Sequence, residues 1–146
     1  MPGKFNSILL VDDDRTTNHF NKLLLEDMAL AEQIQLASHG QEALSLIKET
    51  VSRSPKEQPS PMTSLIFLDL YMPVMNGIEF LKALEQQYKE ALQQGLCIVL
   101  LTSSSQPGDL ELAKNFRIAN VLKKPLTSEK VKLVVREVFK AREPGK

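Results

Sequence analysis

Apolar residues fall along this chain in two alternating rhythms. Short unbroken runs, Ile8-Leu9-Leu10-Val11, Leu65-Ile66-Phe67-Leu68 and Ile98-Val99-Leu100-Leu101, have the length and branching of strands buried on both faces. With a weakly patterned run at 32–37 and a short one at 120–123, they predict five strands, over about 7–11, 32–37, 64–69, 97–102 and 120–123. Between them the apolar period changes to that of a helix. Phe20, Leu23, Leu24 and Met28 recur at helical spacing over 15–28, and Leu44, Ile47 and Val51 share one face of 41–52. Leu81, Leu84, Tyr88 and Leu92 form the expected buried stripe of a helix over 78–93, closed by Gly95. Pro107 suits the first turn of a short helix reaching Phe116 or Arg117. Val131, Val134, Val135 and Val138 make the apolar face of a last helix capped by Thr127 or Ser128.

Strand and helix thus alternate five times. That order predicts an α/β fold, a doubly wound five-stranded parallel sheet covered on both faces. The chain of 146 residues reads as one domain, folded over about 5–141. Residues 53–63 hold Pro55, Pro59 and Pro61 and are expected to form a long surface loop.

Composition narrows the function classes. The formal net charge is zero, which argues against direct DNA binding. No apolar run is long enough to span a bilayer, and Met1-Pro2-Gly3-Lys4 leads straight into a strand without a signal-peptide pattern. A cytoplasmic protein with no membrane association is expected. Cys97 is the single cysteine, so no internal disulfide can form; it reads as a buried, inert thiol at the start of a strand.

The candidate chemistry sits at strand ends. Asp12 and Asp13 follow the first strand, Asp69 ends the third, Thr102 ends the fourth, and Lys124 follows the fifth. Ligands of open α/β sheets bind outside the carboxyl ends of parallel strands, so these side chains can converge on one site. Clustered carboxylates repel one another unless a cation lies among them, and an all-oxygen donor set suits Mg²⁺. The pattern points to a Mg²⁺ and phosphoryl site.

Four sequence pieces then carry a family resemblance. Leu10-Val11-Asp12-Asp13, Leu68-Asp69-Leu70-Tyr71-Met72-Pro73-Val74-Met75-Asn76-Gly77, Leu101-Thr102-Ser103 and Lys124-Pro125 occur in this order, each at a predicted strand end. Together they resemble the receiver domains of two-component response regulators, the CheY-like family, over essentially the whole chain. The resemblance implies that Asp69 is the phosphoacceptor. It implies that Mg²⁺ is held directly by Asp13, Asp69 and the Tyr71 backbone carbonyl, and by Asp12 largely through water. It implies that Thr102 hydrogen-bonds the phosphoryl group, that Lys124 pairs with it, and that the Lys124–Pro125 peptide is cis. The implied donor is a sensor histidine kinase or a histidine phosphotransfer protein, and the implied output is binding to an unidentified downstream protein. No catalysis is expected beyond phosphorylation and dephosphorylation of the chain itself. Only about six residues follow the last predicted helix, so a stand-alone receiver is expected.

Two departures from the family pattern matter. Val121 stands where many receivers carry an aromatic residue that follows the threonine inward, so another switch is needed. Bulky Tyr71, two positions after the phosphoacceptor, is expected to screen the attacking water and lengthen the acyl-phosphate lifetime; Ser104 occupies the second position that tunes it. Two other readings compete. Asp12-Asp13-Asp14-Arg15-Thr16 fits the Asp-x-Asp-x-Thr nucleophile motif of haloacid-dehalogenase-like phosphatases, with Asp12 and Asp14 in the active roles. That family needs a further acidic pair after the lysine, and only isolated Glu129, Glu137 and Glu143 follow Lys124. The other keeps the fold as a docking domain that works without phosphorylation.

Overall fold

The computed structural model describes residues 5–51, 64–70, 76–89, 95–102, 111, 114–116 and 118–141. Five strands, β1 (Phe5–Val11), β2 (Ala31–Ala37), β3 (Ser64–Asp69), β4 (Leu96–Thr102) and β5 (Asn120–Lys123), form one sheet in the order β2-β1-β3-β4-β5. Every neighbouring pair is parallel. Four described helices accompany them: α1 (Arg15–Met28), α2 (Gly40–Val51), α3 (Gly77–Gln87) and α4 (Ser128–Ala141). The predicted short helix at 107–117 and the Pro-rich loop at 53–63 fall mostly or wholly outside the described residues. So do the side chains of Val51 and Leu92. The doubly wound α/β expectation holds.

Period-two alternation divides the strand residues between two cores. Leu9, Val11, Ile66, Leu68, Ile98 and Leu100 face one side and pack with Ala43 and Ile47 of α2 and Phe80, Leu81 and Leu84 of α3. Ile8, Leu10, Leu65, Phe67, Val99 and Leu101 face the other and pack with Leu25 of α1 and Val131, Val134, Val135 and Val138 of α4. β3 lies in the middle of the sheet and is buried at all six positions, which is why its sequence shows no polar alternation. β2 is an edge strand and is mostly half-buried or exposed, which explains its weak pattern.

One apolar face differs from expectation. On α1, Phe20 and Leu23 are 62% and 47% exposed, whereas Asn18, Asn21 and Leu25 are buried. The helix is rotated so that two amides, not two of its larger apolar side chains, meet the sheet. Leu24 and Met28 are partly buried against the second core. α3 also buries Phe80, beside the predicted Leu81 and Leu84. Gly95 precedes β4 with φ of 145°, a conformation that L side chains rarely adopt.

The topology creates a crevice. The chain leaves β1 towards β2 and then crosses back to β3 on β1's other side. The connections after β1 and β3 therefore diverge, and the carboxyl ends of these two strands open onto one cleft. The register sets their depth: Val11 pairs with Leu68, and Asp69 with Leu101, so Asp12 and Asp69 emerge at one level.

Candidate functional site

Asp12 is the first residue beyond the β1 ladder and remains buried. Its N–H donates to the Ala37 carbonyl at 3.1 Å, its Oδ1 accepts from the Asp14 N–H at 2.9 Å, and its Oδ2 accepts from Lys124 Nζ at 2.8 Å. Asp69, also buried, places Oδ2 3.5 Å from the same Nζ. Asp13 is exposed at the mouth of the cleft. One carboxylate oxygen from each of Asp12, Asp13 and Asp69 lies within 4.8 Å of the other two, the one set of metal-capable side chains among the described residues.

Lys124 is held from both sides. Its N–H donates to the Thr102 carbonyl at 2.7 Å, which ties the end of β5 to the end of β4. The ammonium of Lys130 donates to the carbonyls of Lys123 at 2.6 Å and Pro125 at 2.9 Å, bracketing Lys124. The Lys124–Pro125 peptide is cis. Burial works against the Lys124 charge, but the hydrogen bond to Asp12 and the charge of Asp69 outweigh it and raise its pKa above the ordinary lysine value. Thr102 is buried at the end of β4. Lys123 is exposed, as strand alternation requires. Tyr71 and Ser104 lie outside the described residues.

Asp14 is the N-cap of α1. Its Oδ1 accepts from the N–H groups of Thr16 at 2.9 Å and Thr17 at 3.2 Å, and the Thr17 N–H chiefly holds its pKa below the usual carboxylate range, against a smaller opposing effect of desolvation. That carboxylate is committed to the helix start, which weighs against the phosphatase reading. His39 Nδ1 accepts from the Glu42 N–H at 3.2 Å at the start of α2, and His19 is exposed beside Phe20, with ring centroids 5.9 Å apart. Cys97 is half-buried at the margin of the second core, less enclosed than its sequence context suggests. Val121 packs partly buried against the first core.

Two residues near the site escape a reading of the sequence by rhythm. Gly77 begins α3, and its N–H donates to the Leu70 carbonyl at 2.8 Å. A Cβ there would come within 2.7 Å of Leu70 Cα and 3.0 Å of the Asp69 carbonyl oxygen, so only glycine lets the helix start beneath the Asp69 backbone. The Asn76-Gly77 pair reads as a turn signal; the structure makes Asn76 a helix cap, in a capping box with Glu79. Asn18, buried in α1, donates from Nδ2 to the carbonyls of Asp12 at 3.0 Å and Ala37 at 3.1 Å. An asparagine inside a helix, where amides are mildly disfavoured, was the available signal.

Comparison with known proteins agrees with this geometry. The model of the response regulator receiver domain family matches residues 8–136. The chain belongs to that family. A relative named "Probable chemotaxis protein CheY", from Rhizobium etli, is 31% identical over 138 residues, covering 92% of each chain. The transcriptional regulatory protein CpxR of Escherichia coli is 29% identical over 135 residues, 92% of this chain but 50% of CpxR. The receiver thus spans about half the length of the first curated relatives it matches. A crystal structure of a two-component response regulator from Cytophaga hutchinsonii superposes with a TM-score of 0.80 at 27% identity, covering 94% of this chain and 98% of that one. This receiver has its acidic cluster at the switch point of the sheet, between β1 and β3.

Proposed function

We propose that this receiver is the phosphoacceptor of a two-component phosphorelay, with Asp69 as the nucleophile. The observation that carries the reading is the placement of buried Asp69 between one ammonium, Lys124, and the carboxylates of Asp12 and Asp13. Lys124 pairs with Asp12 and Asp69, and one ammonium does not balance the three carboxylates of the cluster, so a divalent cation would offset the remaining negative charge. The donors are all hard oxygens, which fits Mg²⁺. Both Asp12 oxygens are already engaged, by Asp14 and Lys124, which favours a role for Asp12 through water. Asp13, Asp69 and the Tyr71 carbonyl would hold the ion directly. When bound, Mg²⁺ supplies the neutralisation that lets an anionic nucleophile approach an anionic phosphoryl group.

The remaining work falls to side chains. A phosphohistidine on a sensor histidine kinase or phosphotransfer protein presents its phosphorus to Asp69; the P–N bond breaks as a P–O bond to the carboxylate forms. The Lys124 ammonium exchanges its 3.5 Å contact with Asp69 for the transferred oxygens, and the Thr102 hydroxyl donates to another. The sheet-end position of Thr102 and Lys124 allows the new charge to shift the surface of β5 and α4, where a downstream protein would bind. The chain acts on no substrate but its own Asp69. Zero formal net charge supports a protein rather than a DNA target. Among the described residues no helix is long and apolar enough to cross a membrane, and a cytoplasmic location goes with the proposed donor.

Intact mass after incubation with acetyl phosphate tests the reading. One phosphoryl adduct is expected with Mg²⁺, none with a chelator and none in Asp69→Asn. An adduct that survives in Asp69→Asn but disappears in Asp12→Asn would favour phosphatase-type chemistry at Asp12 instead. In the same assay, Tyr71→Asn should lose its phosphoryl group faster than the parent.

A further inference from the structure

The β1 ladder ends at Val11, which pairs with Ala37 on one side and Leu68 on the other. Beyond it the backbone must carry Asp12 and Asp13 to the metal cluster without strand pairing. The N–H of Asp12 is held by Ala37, and the N–H of Asp14 by Asp12 Oδ1. Between these two anchors lies the peptide unit made of the Asp12 carbonyl and the Asp13 N–H. Its carbonyl accepts from Asn18 Nδ2 at 3.0 Å.

The chemistry of Asn18 fixes the orientation of its amide. The two atoms facing it, the carbonyl oxygens of Asp12 and Ala37, are acceptors only, so the nitrogen must point at them. The other end of the amide, Oδ1, is shut off from solvent and has no hydrogen-bond partner among the described residues. Asn18 is only 5% exposed. A buried acceptor without a donor is unfavourable, and a leucine of similar size would avoid it. Packing alone therefore does not explain an asparagine here; holding two strand-end carbonyls does.

The peptide unit is planar, so a donor that fixes the Asp12 carbonyl also fixes the direction of the Asp13 N–H and constrains where the Asp13 side chain leaves the backbone. Asp13 is exposed and has no strand pairing of its own, so it depends most on this support. We propose that Asn18 is a positioning residue of the metal site. Its amide sets the Asp12–Asp13 peptide plane and keeps the Asp13 carboxylate gathered with those of Asp12 and Asp69. The inference rests on the Mg²⁺ reading above and adds a residue that touches neither the ion nor the phosphoryl group.

The test separates positioning from stability. Calorimetric titration of the full chain with MgCl₂, without any phosphodonor, gives the affinity; thermal melting of the metal-free chain gives the stability. Asn18→Leu keeps the volume, removes the donor and removes the unpaired acceptor. The lost donor to the Asp12 carbonyl and the removed unpaired acceptor oppose each other, so it should melt close to the parent temperature yet bind Mg²⁺ about tenfold more weakly, the usual scale for groups that orient a ligand. Asn18→Ala should melt lower, because it opens a cavity, and should lose the same affinity as Asn18→Leu. Unchanged Mg²⁺ affinity in Asn18→Leu overturns the proposal, and so does an affinity loss confined to Asn18→Ala, which would trace to the cavity. A parent chain that binds no Mg²⁺ removes the functional reading itself and this inference with it.

Discussion

α1 and α4 are both fourteen residues long and pack on the same face of the sheet, yet they are built on different plans. α4 meets the sheet with Val131, Val134, Val135 and Val138, all buried, as its helical period indicates. α1 meets it with Asn18, Asn21 and Leu25, and leaves Phe20 and Leu23 outside. The difference follows from what lies above each helix. α1 starts directly after the acidic cluster, and its first turns must satisfy a strand-end carbonyl and the Asp14 cap before they can bury apolar surface. α4 starts after Lys124, and Lys130 attends to the nearby carbonyls from its half-exposed flank, leaving the inner face free to pack. A helix whose inner face only packs advertises that face in its sequence; one whose inner face also shapes a site does not.

The strongest way to break this contrast is to give α4 the α1 plan. Val134→Asn places an amide in a fully apolar environment with no strand end to serve. It forfeits the burial of a valine, about 1.5–3 kcal/mol, and leaves polar atoms unpaired at a further ~1–3 kcal/mol. Chemical denaturation should show a loss of roughly 3–5 kcal/mol. A loss below about 1 kcal/mol would mean that α4 tolerates amides as α1 does, and the contrast would fail.

Next in size is Gly77→Ala, at the other helix that begins under the site. The new Cβ has backbone on its near side, Leu70 Cα at 2.7 Å, so relief requires moving either α3 or the segment carrying Asp69. A cost of about 1–3 kcal/mol is expected, as for overpacking elsewhere. The adduct yield with acetyl phosphate should fall in parallel, whereas Val134→Asn, measured where it is still folded, should keep its yield. Equal retention of yield in both would show that α3 is no more tied to the site than α4.

These contrasts also mark what could be read from the chain beforehand. The central strands were legible because unbroken apolar runs such as Leu65-Ile66-Phe67-Leu68 admit few other structures. The convergence of Asp12, Asp13, Asp69 and Lys124 was legible because parallel strands put their carboxyl ends on one side. The rotation of α1 was not. Hydrophobic period assigns Phe20 and Leu23 inward, and only the position of the Asp12 and Ala37 carbonyls draws Asn18 inward instead. The role of Gly77 was hidden for a similar reason. The sequence marks a turn, but the contact that excludes a side chain comes from Leu70, seven positions earlier in the chain.

The helix starts offer a smaller test, through pH. Asp14 caps α1 with a carboxylate whose folded pKa lies below its ordinary 3.8. Its contribution is therefore present above that value and lost as pH falls through the lower folded pKa. Asp14→Ala should melt a few degrees below the parent at neutral pH, with the gap closing under strongly acid conditions. α4 is capped by the Thr127 hydroxyl, which accepts from the Lys130 N–H at 3.3 Å and does not titrate. Thr127→Ala should cost about 1 kcal/mol, with no closing of the gap in acid. Parallel pH profiles for the two variants would remove this distinction.

The smallest expected effect is the most direct check on the rotation of α1. Phe20 is 62% exposed and its ring meets only the neighbouring His19 ring among the described aromatic contacts. If the amide face is the inner one, Phe20→Ser removes surface that folding does not bury. Serine and phenylalanine have similar helix propensities, so the backbone gives no offsetting change. Stability should stay within about 0.5 kcal/mol of the parent, against several for Val134→Asn on α4. A loss above about 1 kcal/mol would place Phe20 against the sheet, with α1 turned as its hydrophobic period suggests. Asn18 would then face away from the strand ends, and its hold on the Asp12 carbonyl would be lost, so this one substitution tests the geometry on which the support of Asp13 depends.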